Sequence, residues 1–198
     1  MTRLGTFGDR GQAFPIYLTV VGGLLLLALA YFAVGQAAAN RNGAQTAADA
    51  AALAAAQDTR DQLAAQWLLD LRDPTKWTDI FNGNTQVTPS CWRAYQLAQQ
   101  NGAHVENCAP ADLLSYQVTV ETDKTVGDSV VPGTESKHAR ASATAVIEPL
   151  CTFPPPAAGA DAKELPKLSC KDTNWPLDPD DPEHLPQPPD LFDVHLAD

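Results

Sequence analysis

Hydrophobic and polar positions change their rhythm three times along this chain. From Ala13 to Gly35 there is no rhythm: AFPIYLTVVGGLLLLALAYFAVG is apolar on every side and carries no charge over 23 residues. At about 1.5 Å rise per residue, a helix of this length crosses a hydrocarbon layer of roughly 30 Å. A helix in a water-soluble core would be shorter and would show a polar stripe. The pattern therefore predicts a membrane-spanning helix over 13–35. Pro15 sits in its first turn, where the missing N–H costs nothing. Tyr17, Tyr31 and Phe32 lie toward the two ends, as interfacial aromatics do. The competing reading is a secretory signal peptide cut near Ala37-Ala38-Ala39. The apolar core of such a peptide is only about 7–15 residues, which favours retention.

Residues 36–73 follow without a proline, and 12 of the 21 positions from 36 to 56 are alanine. Alanine is the best helix former, so the spanning helix is expected to continue outward, with Asn40 to Gly43 its weakest point. Pro74 ends it by pushing the preceding residue out of the helical region. Leu63, Ala64, Trp67, Leu68 and Leu71 recur at three- and four-residue spacing and form a stripe for docking. Small residues recur every fourth position at Gly35, Ala39, Gly43, Ala47 and Ala51. Such a column lets a second helix approach closely. It drifts by about 40° per step, so two or three members face any one partner.

Beyond Pro74 the period changes again. Residues 77–90 carry Asn-Gly-Asn and Thr-Pro-Ser loop signals. Residues 91–101 read as a short helix closed by Gly102, and Cys108 falls in a turn with Pro110. Leu114 to Asp123 alternates: Leu114, Tyr116, Val118 and Val120 face one way, and Ser115, Gln117, Thr119 and Glu121 the other. Ala139 to Ile147 alternates as well, with alanines on its inner face. These are two half-buried strands, expected to pair antiparallel. Two strands alone are marginal. The sheet therefore needs the Trp67 stripe, the short helix or a further strand at Val126–Val131.

Residues 149–198 hold 11 of the 16 prolines, with ten acids and three lysines. Proline lacks a ladder donor and the acids resist burial, so this part is expected to be an extended or disordered tail. The fold class expected is α+β: a single-pass membrane helix, a long Ala-rich helix, a small α+β domain with an antiparallel strand pair, and a disordered Pro-rich acidic tail. The boundaries are 1–12, 13–35, 36–73, 74–148 and 149–198.

Charge narrows the partners. The net charge is -11, and no basic stripe exists to replace counterions on a phosphate backbone, so nucleic acid is excluded as a partner. Arg3 and Arg10 before the span place the N-terminus in the cytoplasm and the C-terminal region outside. Cysteines at 91, 108, 151 and 170 all follow the span and suit two disulfides in an oxidising compartment. Cys91–Cys108 and Cys151–Cys170 close short loops of similar length; the alternative ties Cys151 back to Cys91 or Cys108.

Catalytic chemistry is not indicated. His104, His138, His184 and His195 show no HxxxH or HExxH spacing, and the cysteines form no CxxC. There is no GxSxG elbow and no phosphate-cradling loop. Asp178, Asp180, Asp181 and Glu183 lack the glycine and spacing of a calcium loop and read as a solvated acidic run. Trp77, Trp92 and Trp175 read as packing residues. No enzyme activity, cofactor or metal is expected.

Two stretches carry a likeness: Asp9-Arg10-Gly11-Gln12-Ala13 leading into the apolar helix, and Gln45-Thr46-Ala47-Ala48-Asp49 followed by the alanine-rich run to Ala56. Together they resemble the N-terminal region of TadE/TadG-like proteins, pilin-like components of Flp (Tad) pilus machines. The resemblance covers about residues 9–60. It implies a membrane-anchored long helix with a variable external domain, acting in assembly of a surface pilus or related secretion apparatus. Its partners would be the lipid bilayer and other pilin-like membrane proteins meeting the Ala-rich helix. Some relatives are cut after a glycine that precedes a glutamate by five residues. The fifth residue after Gly11 is Ile16, so the resemblance implies the uncut, TadG-like variety. The alternative is a membrane-tethered extracellular binding module reaching its ligand with the Pro-rich tail.

Overall fold

The computed structural model describes residues 13–125, 136–154, 165–171 and 173–197. The short N-terminal segment 1–12 and the possible strand at Val126–Val131 lie outside the described residues. Ala13 to Leu69 form one continuous helix, α1, of 57 residues, about 86 Å long. It runs through Asn40–Gly43 without a break. Its first half is bare: Phe14, Leu24 to Leu27, Phe32 and Val34 are all exposed. Among the described residues α1 is the one helix long and apolar enough to cross a membrane.

Burial begins at Ala44. Ala44, Ala47, Ala48, Ala51, Ala52, Ala55 and Ala56 are completely covered. The cover is a four-stranded antiparallel sheet in the order β1-β2-β3-β7. Its strands are β1 (Ala103–Asp112), β2 (Ser115–Thr122), β3 (Arg140–Pro149) and, near the chain's end, β7 (Phe192–Leu196). β2 and β3 are the two strands the alternation predicts, paired with Tyr116 opposite Ala145 and Val118 opposite Ala143. Val118, Val120, Ala145 and Ile147 are buried on the face that meets α1. Opposite these strands α1 presents mainly alanine between 44 and 56, and such small side chains, packed at interior density under Val118, Val120 and Ile147, leave little room for a larger one. Ala51→Leu is accordingly expected to cost about 1–3 kcal/mol by overpacking. Thermal unfolding of the full chain in nanodiscs measures this; Ala39→Leu, at an exposed position, should leave the midpoint where it is.

Two short helices complete the layer beside α1. Trp77–Phe81 forms α2, within the stretch expected to be loop. Its Trp77, Ile80 and Phe81 are buried, so tertiary burial outweighs the loop signals around Asn82-Gly83. Cys91–Gln100 forms α3. It ends at Gly102 with φ +68, the left-handed position that follows a helix and that glycine fills without strain. The chain then enters β1 directly. Cys108 and Pro110 are in this strand rather than in a turn. Register shifts between Val105 and Asn107 and between Pro110 and Asp112 explain why β1 shows no clean alternation.

The last fifty residues differ most from expectation. In place of a free tail, the described part builds a second three-stranded sheet from β4 (Cys151–Thr152), β5 (Leu168–Cys170) and β6 (Thr173–Trp175). A 3-10 turn at Pro182–His184 and the short helix α4 (Pro188–Leu191) lead into β7, which pairs with β3 through Ile147 opposite Val194. Phe192 is fully buried and stacks on Phe81 with ring centroids 5.1 Å apart. Phe81 and Trp77 also meet Phe153, and Trp77 meets Trp67. Pro182 and Pro188 open the two helical turns, positions that need no donor.

Candidate interaction surfaces

The small-residue column of α1 divides into two parts. Gly35, Ala39 and Gly43 are exposed, and a methyl group added at Gly35 or Gly43 would meet nothing within 4 Å. Ala47 and Ala51 are fully buried beneath the sheet. A second helix could therefore use only the first three. The lower members of the column, which share its spacing, serve the chain's own domain.

A polar knot, buried at Thr59 and Ser90 and open to solvent at Gln62 and Thr88, joins the domain to α1. Thr59 Oγ1 and Ser90 Oγ lie 2.7 Å apart and both residues are buried. Gln62 Nε2 donates to Thr88 O at 3.1 Å, and Gln62 Oε1 accepts from Thr88 N at 2.7 Å. The Ser90 N–H points to the Tyr116 hydroxyl. Thr59→Val removes the Thr59–Ser90 hydrogen bond while Ser90 Oγ keeps Gln62 Nε2 at 3.2 Å and Thr88 O at 3.4 Å, so the expected cost is that of one hydrogen bond, about 0.5–1.5 kcal/mol. Urea titration followed by tryptophan fluorescence measures it.

Thr59 and Tyr116 also line an open cleft of about 780 Å³ with Thr85, Thr88, Asp112 and Leu113. Among the described residues Asp112 is the one carboxylate lining it.

The cysteines join in two pairs, Cys91–Cys108 and Cys151–Cys170. The first ties the start of α3 to β1. The second links directly opposed residues of β4 and β5.

The sheet face turned away from α1 is polar. At one end Arg140 bridges two carboxylates, Glu106 at 2.8 Å and Glu121 at 2.6 Å. Glu106 sits at the β1 register shift, which brings it into reach. The hydrogen bond from Arg140 holds the Glu121 carboxyl below its ordinary value. Its contribution to stability is thus present at neutral pH and is lost as the pH falls through that lowered value. His104 lies near Glu121 and Asp123. At the other end Glu148 faces Asp193 across the β3–β7 pair, with His195 Nδ1 3.5 Å from Asp193 Oδ2.

The acidic run near the end is solvated. Asp180 pairs with Arg72 at 2.8 Å, and Asp181 hydrogen-bonds His184 and raises its pKa. Trp77 is core, whereas Trp92 is 57% exposed on α3 and lies beside the Arg93 guanidinium. Neither the Thr59–Ser90 knot nor the Glu148–Asp193–His195 group has a local sequence signal. Their members are 31 and up to 47 positions apart, and the fold alone brings them together.

Residues 11–58 match the family model described as putative Flp pilus-assembly TadE/G-like. The matched stretch takes in the bare apolar half of α1 and the alanine run on which the sheet rests. No curated protein and no solved structure matches the chain.

Proposed function

We propose that this protein is a membrane-anchored, non-enzymatic, pilin-like component of a Tad/Flp-type pilus-assembly or related secretion apparatus. The match over 11–58 carries the reading. The structure supplies a compatible body: an uncovered apolar helix long enough to span lipid, continuous with the helix that seats the domain. The bilayer covers residues 13–35, the N-terminus is cytoplasmic, and the domain is extracytoplasmic. Gly35, Ala39 and Gly43 are the face through which α1 meets other assembly proteins. Small side chains allow the close backbone contact that holds helices together in lipid.

Deletion of the gene is expected to abolish surface pili or the related secreted fibres, and the wild-type gene to restore them. Gly43→Leu should fail to restore them while accumulating to normal levels. Undiminished fibres in the deletion strain would refute the proposal. Orientation is read separately by labelling intact cells with an impermeant thiol reagent, using single cysteines at Thr6 or at exposed Gln57 in a background lacking the native four. Labelling at 57 and not at 6 is expected; the reverse would invert the topology.

A further inference from the structure

We propose that Glu148, Asp193 and His195 form a binding site for a divalent transition-metal ion of the zinc type. One ligand atom from each lies within 4.8 Å of the others. Glu148 and Asp193 are directly opposed on β3 and β7, and His195, opposite Val146, follows on the same face two residues along. Adjacent paired strands hold the three backbones at fixed spacing, so modest side-chain rotation closes the donors around one centre.

The charge arrangement points to a cation. Like charges directly opposed across a strand pair destabilise the pair. Elsewhere on this same face the sheet has a comparable conjunction, Glu106 with Glu121, and there Arg140 lies between them. At Glu148 and Asp193, among the described residues, no lysine or arginine forms an ion pair with either carboxylate; His195 alone contacts Asp193. A divalent ion would take the place that Arg140 takes at the other end and would neutralise two carboxylates. An imidazole with two carboxylates, and no thiolate, suits zinc-type borderline ions better than calcium or magnesium, which prefer oxygen alone. All three side chains are exposed, so the remaining coordination positions would hold water or a group from another molecule.

The test titrates Zn²⁺ into chelator-treated full-length protein in nanodiscs, followed by calorimetry. One ion per chain is expected, saturating in the micromolar range. His195→Ala and Glu148→Gln should each weaken binding by about tenfold or more. His184→Ala, an exposed histidine beside Asp181, should leave it unchanged. Without metal, Glu148→Gln should match or slightly raise the wild-type unfolding midpoint, because it removes one of two opposed carboxylates on an exposed face, and His195→Ala should change it little. Electron paramagnetic resonance with Cu²⁺ gives a direct readout: coupling to one imidazole nitrogen, lost in His195→Ala and kept in His184→Ala. Absence of saturation below about 1 mM, or binding that neither His195→Ala nor Glu148→Gln weakens, overturns the proposal.

Discussion

Phe192→Ala should lower the stability of the folded domain by about 3–5 kcal/mol, the usual cost of emptying a buried aromatic site. Phe192 is fully buried, begins β7 and stacks on Phe81. The substitution leaves a cavity in the cluster that α2, β4 and β7 share, and it loosens the one strand that secures the chain's end to β3. Phe192→Leu retains most of the volume and should cost less than about 1.5 kcal/mol if the site repacks. Urea unfolding followed by tryptophan fluorescence is well placed to read both, since Trp67 and Trp77 lie in the same cluster. A midpoint unchanged in Phe192→Ala would mean that the end of the chain contributes nothing to the core.

Removing either disulfide should cost about 3 kcal/mol, because each closes a loop near twenty residues and so restricts the unfolded chain. The sequence separations are 17 and 19. Domains of this kind are stable by only about 5–15 kcal/mol, so loss of both should remove a large share of the stability and lower the melting temperature steeply. The paired variants Cys91→Ser/Cys108→Ser and Cys151→Ser/Cys170→Ser measure the two bridges one at a time. Reductant should lower the melting temperature of each further, and should have no effect on the variant lacking all four cysteines. Peptide mapping of non-reduced protein reads the pairing directly; a linked peptide containing Cys108 and Cys151 would contradict it.

The legible parts of this fold are those whose signal is local. The uncharged run from Ala13 to Gly35 and the alanines after it yield one helix, and alternation in 115–122 and 140–147 yields the two central strands. β1 escaped because its register shifts and Pro110 erase the period of two. β7 escaped because its case rests on Leu191 and Phe192 in a proline-rich setting; their burial depends on Phe81, more than a hundred positions earlier. Composition points to a tail there, but a few large apolar residues suffice to order a segment when distant residues bury them, as Phe81 does Phe192. The alanine column was visible, yet an alanine states only that something comes close. That Ala47 and Ala51 meet the chain's own sheet, while Gly35, Ala39 and Gly43 meet nothing, is a property of the fold. The outer-face group of Glu148, Asp193 and His195 is likewise a product of strand register.

The seating of the sheet on the alanine run has a mechanical consequence. From Ala44 onward the helix is stiffened along one flank by the sheet, and in the anchored reading lipid holds it up to Gly35. Between these supports lie residues 36–43, including Asn40, Asn42 and Gly43, which are mostly exposed. A rod built this way converts a change of inclination at its base into sideways travel at its head. Membrane helices commonly lean by about 20°. Over the roughly 51 Å from Gly35 to Leu69, that lean moves the head about 17 Å across the surface, and bending concentrates in the mostly exposed stretch between the two supports.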